Sequence, residues 1–425
     1  MRNYIYCTIF FSVCLLQPAE RAKAQRPVQQ AVEQVHSQLW EKFIDQYGVM
    51  NDFVGETPTP EDCALGRPNA IGWWSPIENG PMFTGMYLPA ICERARRSKD
   101  PADAEKARRL SRGLIKCASI SDVPGFIARG VGSDGKCHYP LGSDDQTHPW
   151  FLGLHEYFMS GIPSESEKKE IALKMKEVAN VLEANSWRAP CDGAFKGEFR
   201  GSYTGELFRD AARYLFILRA MYDVTKEEIW LNRYKMALAE KPVHATRTRL
   251  EICAEGYLQD SVKIKGINIW NLWIYVGSQQ SLASLIKMES DPSVVAGYQK
   301  GLENNVNYCL ASVEGYKTFD NNDTKVFGHA KWREAYPTWF PQPTQAEAQR
   351  LSSLGNMEKM GERKNYESRR IRNPLAGAAI AAFSQDPSHH EMIKQAIAHY
   401  DYAKINMAEF FFAECAYYAL STNAE

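Results

Sequence analysis

Two adjacent aspartates, Asp144 and Asp145, lie in a segment that is rich in side chains able to transfer protons. Two carboxylates so close together cannot both ionise cheaply, so one of them can stay protonated near neutral pH, as a general acid requires. Tyr139 and His148 are close in sequence and are candidate bases. The alternative is structural, with one aspartate capping a helix that begins at Pro149 and the other solvated.

A second group of polar and aromatic residues precedes the first apolar helix. Trp73 and Trp74 offer flat surfaces of the kind on which sugar rings stack. Glu78 can share acid–base work with an aspartate, and Asn79 can hydrogen-bond sugar hydroxyls. Adjacent tryptophans are also common in protein cores, and Glu78 could serve only as a negative charge near a helix N-terminus.

Arginine recurs in the segments that join the predicted helices. Its guanidinium can clamp a carboxylate through two parallel hydrogen bonds, so several arginines around one opening would suit an acidic sugar such as a uronate. Any single arginine is also a candidate for an ordinary surface ion pair. The predicted substrate-binding residues are Trp73, Trp74, Asn79, Arg129, His138, Trp150, Arg200, His329 and Trp332.

Other motifs argue against nucleotide and metal chemistry. The segment from Gly130 to Lys136 resembles a phosphate-binding loop, but Cys137 stands where Ser or Thr is required and no strand is predicted before it. No Cys/His spacing suggests zinc, and no Gly-x-Ser-x-Gly motif supports a serine hydrolase. We therefore expect no cofactor and no catalytic metal, although loop carboxylates and carbonyls could hold a structural calcium ion.

Helical hairpins must position these residues. Five times the chain shows an apolar helix, a short stop and an amphipathic helix, and three of the stops place Asp before Pro. The aspartate can cap the next helix while the proline occupies its first turn, where no amide hydrogen is needed. The other two stops predict capping boxes, Ser164 with Glu167 and Thr225 with Glu228.

The first helix of each hairpin is apolar nearly all round and the second has one charged face, which predicts an inner and an outer helix. An amphipathic helix from Val28 to Tyr47 and an apolar helix from Met407 to Leu420 supply a sixth pair across the termini. Six pairs predict an all-α fold, an (α/α)6 toroid with inner and outer helix rings. A linear stack of hairpins is the alternative, but it gives no reason for the two ends to complement each other.

Long connections lead into the inner helices and should therefore gather at one end of the ring. They span residues 120–148, 187–203, 241–268 and 316–346. Loops of this length in a compact domain usually carry function. Helix N-termini that point into the same opening would also favour an anionic group there.

Composition and the first residues indicate an exported protein. Residues 1–24 resemble a secretory signal, with Arg2, an apolar run and a small-residue cleavage site, so we expect one catalytic domain over 25–425 that is secreted or periplasmic. The 50 basic and 51 acidic residues give a net charge of −1, which leaves no broad basic field for nucleic acid. No later segment is apolar enough to predict a membrane span.

The cysteines outside the predicted signal fall into two groups. Two of Cys63, Cys137 and Cys191, which lie in predicted loops, could form a bridge in an exported protein. Four others lie within predicted helices and are expected to be buried thiols. These are Cys92, Cys117, Cys309 and Cys415.

The predicted ring, the export signal and the single-domain size resemble the six-hairpin glycosidase superfamily, in particular compact members such as the unsaturated glucuronyl hydrolases. The resemblance covers Val28 to Leu420 as architecture, and no residue is carried over from that family. It implies a glycoside hydrolase that removes a terminal sugar from an acidic, uronate-containing oligosaccharide. In this hypothesis Asp145, supported by Asp144, protonates the leaving oxygen and Glu78 positions the water.

Two other functions stay open at this point. The predicted toroid is also similar to that of several polysaccharide lyases, which would remove a proton next to a uronate carboxylate, with Tyr139 or His148 as the base. A third hypothesis is a non-catalytic glycan-binding protein. One scaffold hosts many reactions, so the fold alone cannot choose among them.

Overall fold

The computed structural model describes residues 26–66, 75–263, 271–335, 342–352 and 361–422, so the predicted signal at 1–24 lies outside the described residues. These residues form a predominantly helical fold. The helices are α1 (Val28–Lys42), α2 (Pro60–Ala64), α3 (Gly80–Ser98), α4 (Pro101–Cys117), α5 (Asp144–Met159), α6 (Glu165–Ala184), α7 (Phe208–Thr225), α8 (Glu228–Ala239), α9 (Arg249–Glu255), α10 (Leu258–Lys263), α11 (Val276–Met288), α12 (Pro292–Val313), α13 (Trp332–Ala335), α14 (Gln345–Ser352), α15 (Arg363–Glu367), α16 (Asn373–Ala381), α17 (Pro387–His399) and α18 (Phe412–Thr422).

Strand structure in the described residues is limited to one short hairpin. Strands β1 (Ala189–Pro190) and β2 (Phe199–Arg200) pair antiparallel between α6 and α7, with Ala189 opposite Arg200. The expectation of an all-α fold class is therefore confirmed at the level of secondary structure. No helix among the described residues is long and apolar enough to cross a bilayer.

The three Asp-Pro stops begin helices as predicted, namely α4, α12 and α17. Asp100 accepts a hydrogen bond from the backbone N–H of Ala102 at 2.9 Å, and its neighbour Pro101 is the first residue of α4. Asp291 and Asp386 cap α12 and α17 in the same way, each followed by proline. These caps are local interactions between residues two apart, which is why sequence alone identifies them.

The two predicted capping boxes have different outcomes. Ser164 and Glu167 form the predicted capping box at the start of α6. The side chain of each residue accepts a hydrogen bond from the backbone N–H of the other. The predicted box of Thr225 with Glu228 is wrong, because α7 continues through Thr225. The hydroxyl of Thr225 donates to the carbonyl oxygen of Met221 at 2.7 Å and accepts from the backbone N–H of Glu227 at 3.3 Å, so it does not bond the backbone of Glu228.

Helix α5 begins five residues earlier than the predicted start at Pro149. Ser143 is its N-cap, with its hydroxyl oxygen accepting from the backbone N–H of Asp145 at 3.2 Å. Asp144 and Asp145 form the first turn, where negative charge is favourable. Pro149 lies within the helix, where its missing N–H leaves the carbonyl of Asp145 without an intrahelical donor.

Six helices, named here the inner helices, contact one another in a cyclic order. Each contacts the next in the series α3, α5, α7, α11, α16 and α18, and α18 in turn contacts α3. Six further helices, named here the outer helices, each contact at least one of these, namely α1, α4, α6, α8, α12 and α17. The buried positions of α6 are Ile171, Met175, Val178, Ala179 and Leu182, one face only, whereas most of α5 is buried. One large apolar cluster joins both sets.

The two ends of the described chain meet through a buried polar group. The Glu414 carboxylate on α18 is fully buried and accepts from the Tyr87 hydroxyl on α3 at 2.5 Å. It lies 3.0 Å from Nδ1 of His36 on α1 and 3.8 Å from Arg94. Helices α1, α3 and α18 are therefore tied together by one carboxylate, in addition to their apolar contacts.

The connections that lead into the inner helices contact one another at the end where those helices begin, named here the mouth. Ser133 donates its backbone N–H to Pro58 at 2.9 Å, and Trp332 donates its indole N–H to the Glu56 carbonyl at 2.9 Å. Gln345 donates to the Glu198 carboxylate at 2.7 Å. These contacts join four connections that are far apart in sequence.

Candidate active site

Buried charged side chains collect at the mouth, near the first turns of the inner helices. Glu78 precedes α3, Asp144 begins α5, Arg213 lies in the second turn of α7, and Arg372 and Glu409 precede α16 and α18. All five are buried. Burying charge is costly unless it is compensated, so such a cluster in one region marks a candidate functional site.

Glu78 is the most unusual of these groups. Its side chain is 0% exposed, and neither carboxylate oxygen has a hydrogen-bond partner among the described residues. The nearest cation is Arg129, whose Nη1 lies 4.0 Å from Oε2 of Glu78. Burial raises the pKa of Glu78 to about 8, although Arg129 opposes the shift. The carboxyl group is therefore mainly neutral near pH 7, with a proton that it can donate.

The backbone around Glu78 is held by a second buried carboxylate, Asp52. It accepts from the backbone N–H groups of Glu78 at 3.0 Å and Asn79 at 2.8 Å, and from the Asn79 side-chain amide at 2.6 Å. The Asn79 oxygen in turn accepts from Gln146 of α5 at 3.0 Å. Asn79, predicted to bind substrate, therefore links α3 to α5, and its amide is already engaged.

Arg129 fixes the loop that faces Glu78. Its Nε donates to the carbonyl of Leu141 and its Nη1 to the backbone carbonyl of Glu78, both at 3.1 Å. The carbonyl of Arg129 also accepts from the backbone of Gly80 at 2.8 Å. Arg129 thus joins two connections at the mouth and presents positive charge to the Glu78 carboxyl.

The aspartate pair shares one buried arginine, Arg213 of α7. Its Nη1 lies 2.7 Å from Asp145 and 3.5 Å from Asp144, and its Nη2 donates to Ile274 at 3.1 Å. Burial raises the pKa of Asp144, and the negative charge of Asp145 raises it further. Burial also acts on Asp145, but Arg213 and Arg209 outweigh it and lower the Asp145 pKa. Asp145 is thus the ionised member and Asp144 the protonatable one.

One arginine is electrostatically close to both carboxyl centres. Arg200 lies on β2, where its backbone pairs with Ala189, and its side chain forms no hydrogen bond or ion pair with any described residue. Its positive charge interacts with Asp144 and Asp145, and it also acts on Glu78. Burial, followed by the charge of Arg129, lowers the pKa of Arg200. The side chain is a half-buried cation without a direct anionic partner in the described part of the chain.

Asp144 borders a polar cavity of about 490 Å³, a size that suits a small ligand. Gly201 forms part of the wall with a backbone φ of +75°, and a Cβ atom there would lie 1.9 Å from Oδ1 of Asp144. Only glycine allows the loop to approach this carboxyl so closely. The other lining residues include Ser202, Thr204, Glu206, Arg209 and His244.

His138 and Tyr139 border a different cavity, of about 390 Å³. Nε2 of His138 lies 2.8 Å from the Asp192 carboxylate, and its Nδ1 lies 2.8 Å from the carbonyl of Lys136. Tyr139 is buried, and this burial raises its pKa well above the ordinary value. A phenol that is harder to ionise is poorly suited to act as a base.

His148 and Trp150 lie in the helical core. Nε2 of His148 lies 2.8 Å from the Ser281 hydroxyl, and burial together with Arg213 lowers the His148 pKa well below its ordinary value. The indole N–H of Trp150 donates to the carbonyl of Leu114 at 2.8 Å, and its ring is fully buried. The structure therefore assigns Trp150 a packing contact between helices rather than a surface for a ligand.

The remaining predicted residues lie at the edge of the mouth or outside the residues that the structure describes. His329 is buried against the rings of Phe53 and Phe327, and Trp332 is buried with its N–H bonded as described above. The predicted platform residues Trp73 and Trp74 lie outside the described residues. Of the predicted site residues, the structure groups Glu78, Asn79, Arg129, Asp144, Asp145 and Arg200.

Several charged groups of the mouth were not predicted. Arg213 is 1% exposed on an inner helix, and Asp52 lies in a connection that was not singled out. Lys364 and Glu409 are buried and interact with each other, and Lys364 also interacts with Glu78; burial lowers the Lys364 pKa to about 8 and raises the Glu409 pKa to about 7. Arg213 could have been identified from the sequence, because it is a charged residue in the first turns of a helix predicted to be largely apolar.

Comparisons with protein-family models, with curated proteins and with solved structures found no match for this chain. In the described part of the chain, no group of three or more His, Cys, Asp or Glu side chains is arranged to hold a metal ion. Any conclusion about activity therefore depends on the geometry and charge of the mouth itself.

Proposed function

We propose that this protein is an exported glycoside hydrolase that removes a terminal sugar from an acidic, uronate-containing oligosaccharide. One observation carries the proposal. Two buried carboxyl groups with raised pKa values, Glu78 and Asp144, lie at the start of neighbouring inner helices and interact with the same cation, Arg200. A pair of carboxyl groups with separately tuned pKa values is what acid–base cleavage of a glycosidic bond requires.

We further propose that the helices form an (α/α)6 toroid in a single catalytic domain. The cyclic order of contacts among the inner helices supports this architecture, as does the contact of each with at least one of six further helices. The contact between the terminal helices and α3 through Glu414 argues against an open linear stack. In a ring of this kind the connections into the inner helices converge on one opening, which is where the charged groups lie.

In the proposed mechanism Glu78 is the general acid and Asp144 the general base, while Asp145 remains ionised beside Arg213. Glu78 donates its proton to the glycosidic oxygen as the bond to the anomeric carbon breaks. Asp144 accepts a proton from the water that attacks this carbon, so one water is consumed per bond. The sequence suggested the reverse assignment, with Asp145 as acid, but Arg213 favours the ionised form of Asp145.

The proposed substrate is acidic because Arg200 and Arg129 supply positive charge beside the reacting carboxyls. Arg200 has no anionic partner among the described residues, so a uronate carboxylate could take that position through two parallel hydrogen bonds. The hydroxyls of Ser202 and Thr204, together with Glu206, offer hydrogen-bonding groups for sugar hydroxyls in the cavity beside Asp144.

The test is hydrolysis of a panel of uronate-containing and neutral oligosaccharides by the wild type and by the variants Glu78→Gln and Asp144→Asn. We expect new reducing ends from acidic substrates, and a loss of at least about 100-fold in kcat for each variant, which is the usual contribution of a general acid or base. Glu391→Gln, an exposed position on an outer helix, is the control and should retain full activity.

The other hypotheses predict different results in the same assay. A lyase would release products with a new double bond, seen as ultraviolet absorbance without consumption of water. A glycan-binding protein would retain oligosaccharides without cleaving any, and neither substitution would change a rate. Either result would overturn the proposed hydrolase.

A further inference from the structure

Two cysteines from different connections meet beside the mouth. Cys63 lies on α2 and Cys137 lies in the connection between α4 and α5. Both line the cavity of about 390 Å³ that also contains His138, and each thiol acts on the pKa of the other, while the Cys137 thiol donates to the carbonyl of Pro58 at 3.6 Å. Both are partly exposed, so reagents in solution can reach them. Two thiols that line one small cavity are candidates for a disulfide.

The backbone around each of these two cysteines is held in place by its own hydrogen bonds. Helix α2 begins with a capping box formed by Thr59 and Asp62. Asp134 accepts from the backbone N–H of Lys136 at 2.9 Å and of Cys137 at 2.7 Å, which fixes the turn that presents the Cys137 thiol. The two thiols therefore lie on ordered segments.

The other described cysteines are placed differently. Cys191 is fully buried in the small apolar cluster against which Cys63 packs, and it is the only reasonable competitor for either thiol. The remaining five are buried in five separate helices. They are Cys92, Cys117, Cys253, Cys309 and Cys415. The expectation that the four predicted helical cysteines are buried thiols is confirmed.

We propose that Cys63 and Cys137 form a disulfide that fastens α2 to the connection leading into α5. Each thiol loses its proton and the two sulfurs join, while two electrons reduce an acceptor disulfide to two thiols. The cysteines are 74 positions apart (137 minus 63), so the bond would close a long loop and restrict the unfolded chain. The proposal is independent of the proposed hydrolase activity and holds for a binding protein equally well.

The first test maps the bond in the full-length purified protein. The protein is incubated with oxidised glutathione, its free thiols are alkylated under denaturing conditions, and its peptides are identified by mass spectrometry without reduction. We expect one cross-linked species that joins the peptides of Cys63 and Cys137, with every other cysteine alkylated. Full alkylation of both residues, or a bond from either one to Cys191, overturns the proposal.

The second test measures the consequence for stability. The Tm of the oxidised wild type should fall by about 2–5 °C when a reductant is added, from the usual effect of one disulfide in a domain of this size. Cys63→Ser and Cys137→Ser should each match the reduced wild type and lose the response to reductant. Cys309→Ser, a buried position on α12, is the matched control and should retain the response. An unchanged wild-type Tm after reduction contradicts the proposed bond.

Discussion

Replacing Glu78 with glutamine should stabilise the folded protein at pH 7 while it removes the proposed activity. Burial raises the pKa of Glu78 from 4.5 to about 8, so the folded state holds a proton there that the unfolded chain has lost. The stability linked to this proton is fully present below pH 4.5 and is lost as the pH rises through 8. Each pH unit in that window costs about 1.4 kcal/mol. At pH 7 the accumulated cost is about 3 kcal/mol, which glutamine avoids because it does not ionise.

The assay is urea unfolding of the wild type and of Glu78→Gln at pH 5, 6, 7 and 8. The stability difference should be under about 1 kcal/mol at pH 5 and grow to about 3 kcal/mol in favour of the variant at pH 7. Glu391→Gln, which changes an exposed carboxyl, should show no such dependence on pH. A difference that stays constant with pH, or a variant less stable than the wild type at pH 7, would refute the reasoning about burial.

Three further substitutions test other parts of the structure. Asp144→Asn should lower kcat by about 100-fold with an unchanged circular dichroism spectrum; a change in KM alone contradicts the proposed base. Gly201→Ala places a Cβ 1.9 Å from Asp144 and should lower both activity and stability, whereas Gly197→Ala, with φ of +90° and nothing within 4 Å, should lower stability only. Glu414→Gln weakens a buried charged contact between the terminal helices and should cost about 1–3 kcal/mol in urea unfolding; an unchanged midpoint contradicts that role.

The helical hairpins could be predicted from sequence because their signals are local. An Asp-Pro stop such as Asp100-Pro101 needs only residues two apart to form its cap, and the one-sided burial of α6 repeats at helical spacing. Boundaries were less predictable. The Thr225 hydroxyl donates to the preceding turn and also accepts from the backbone N–H of Glu227, so whether Thr225 starts a capping box depends on where α7 ends.

The site was predictable only in part, since contacts between connections are set by tertiary structure. Glu78 and Asp144 were identified because acidic residues precede apolar helices, but nothing local shows that Arg213 reaches the aspartates. The sequence placed His148 at the end of a connection and Trp150 in the first turn of a helix starting at Pro149, whereas α5 has already begun at Asp144. At 3.6 residues per turn, His148 lies one turn deeper than Asp144 on the same face, and Trp150 turns toward the outer helices.

The state of Glu78 bears on whether the mouth is catalytic. In a scaffold or a simple binding protein, a fully buried carboxyl without a hydrogen-bond partner among the described residues lowers stability and contributes nothing in return. A general acid has the opposite requirement, since burial keeps the carboxyl protonated near neutral pH and leaves its proton available to a leaving group. The neighbouring carboxylate of Asp52 is also buried, but it accepts three hydrogen bonds. This region can therefore supply hydrogen-bond donors to a carboxylate that has a structural role. We favour catalysis at Glu78 because its carboxyl lacks hydrogen-bond partners among the described residues, whereas the carboxylate of Asp52 has three.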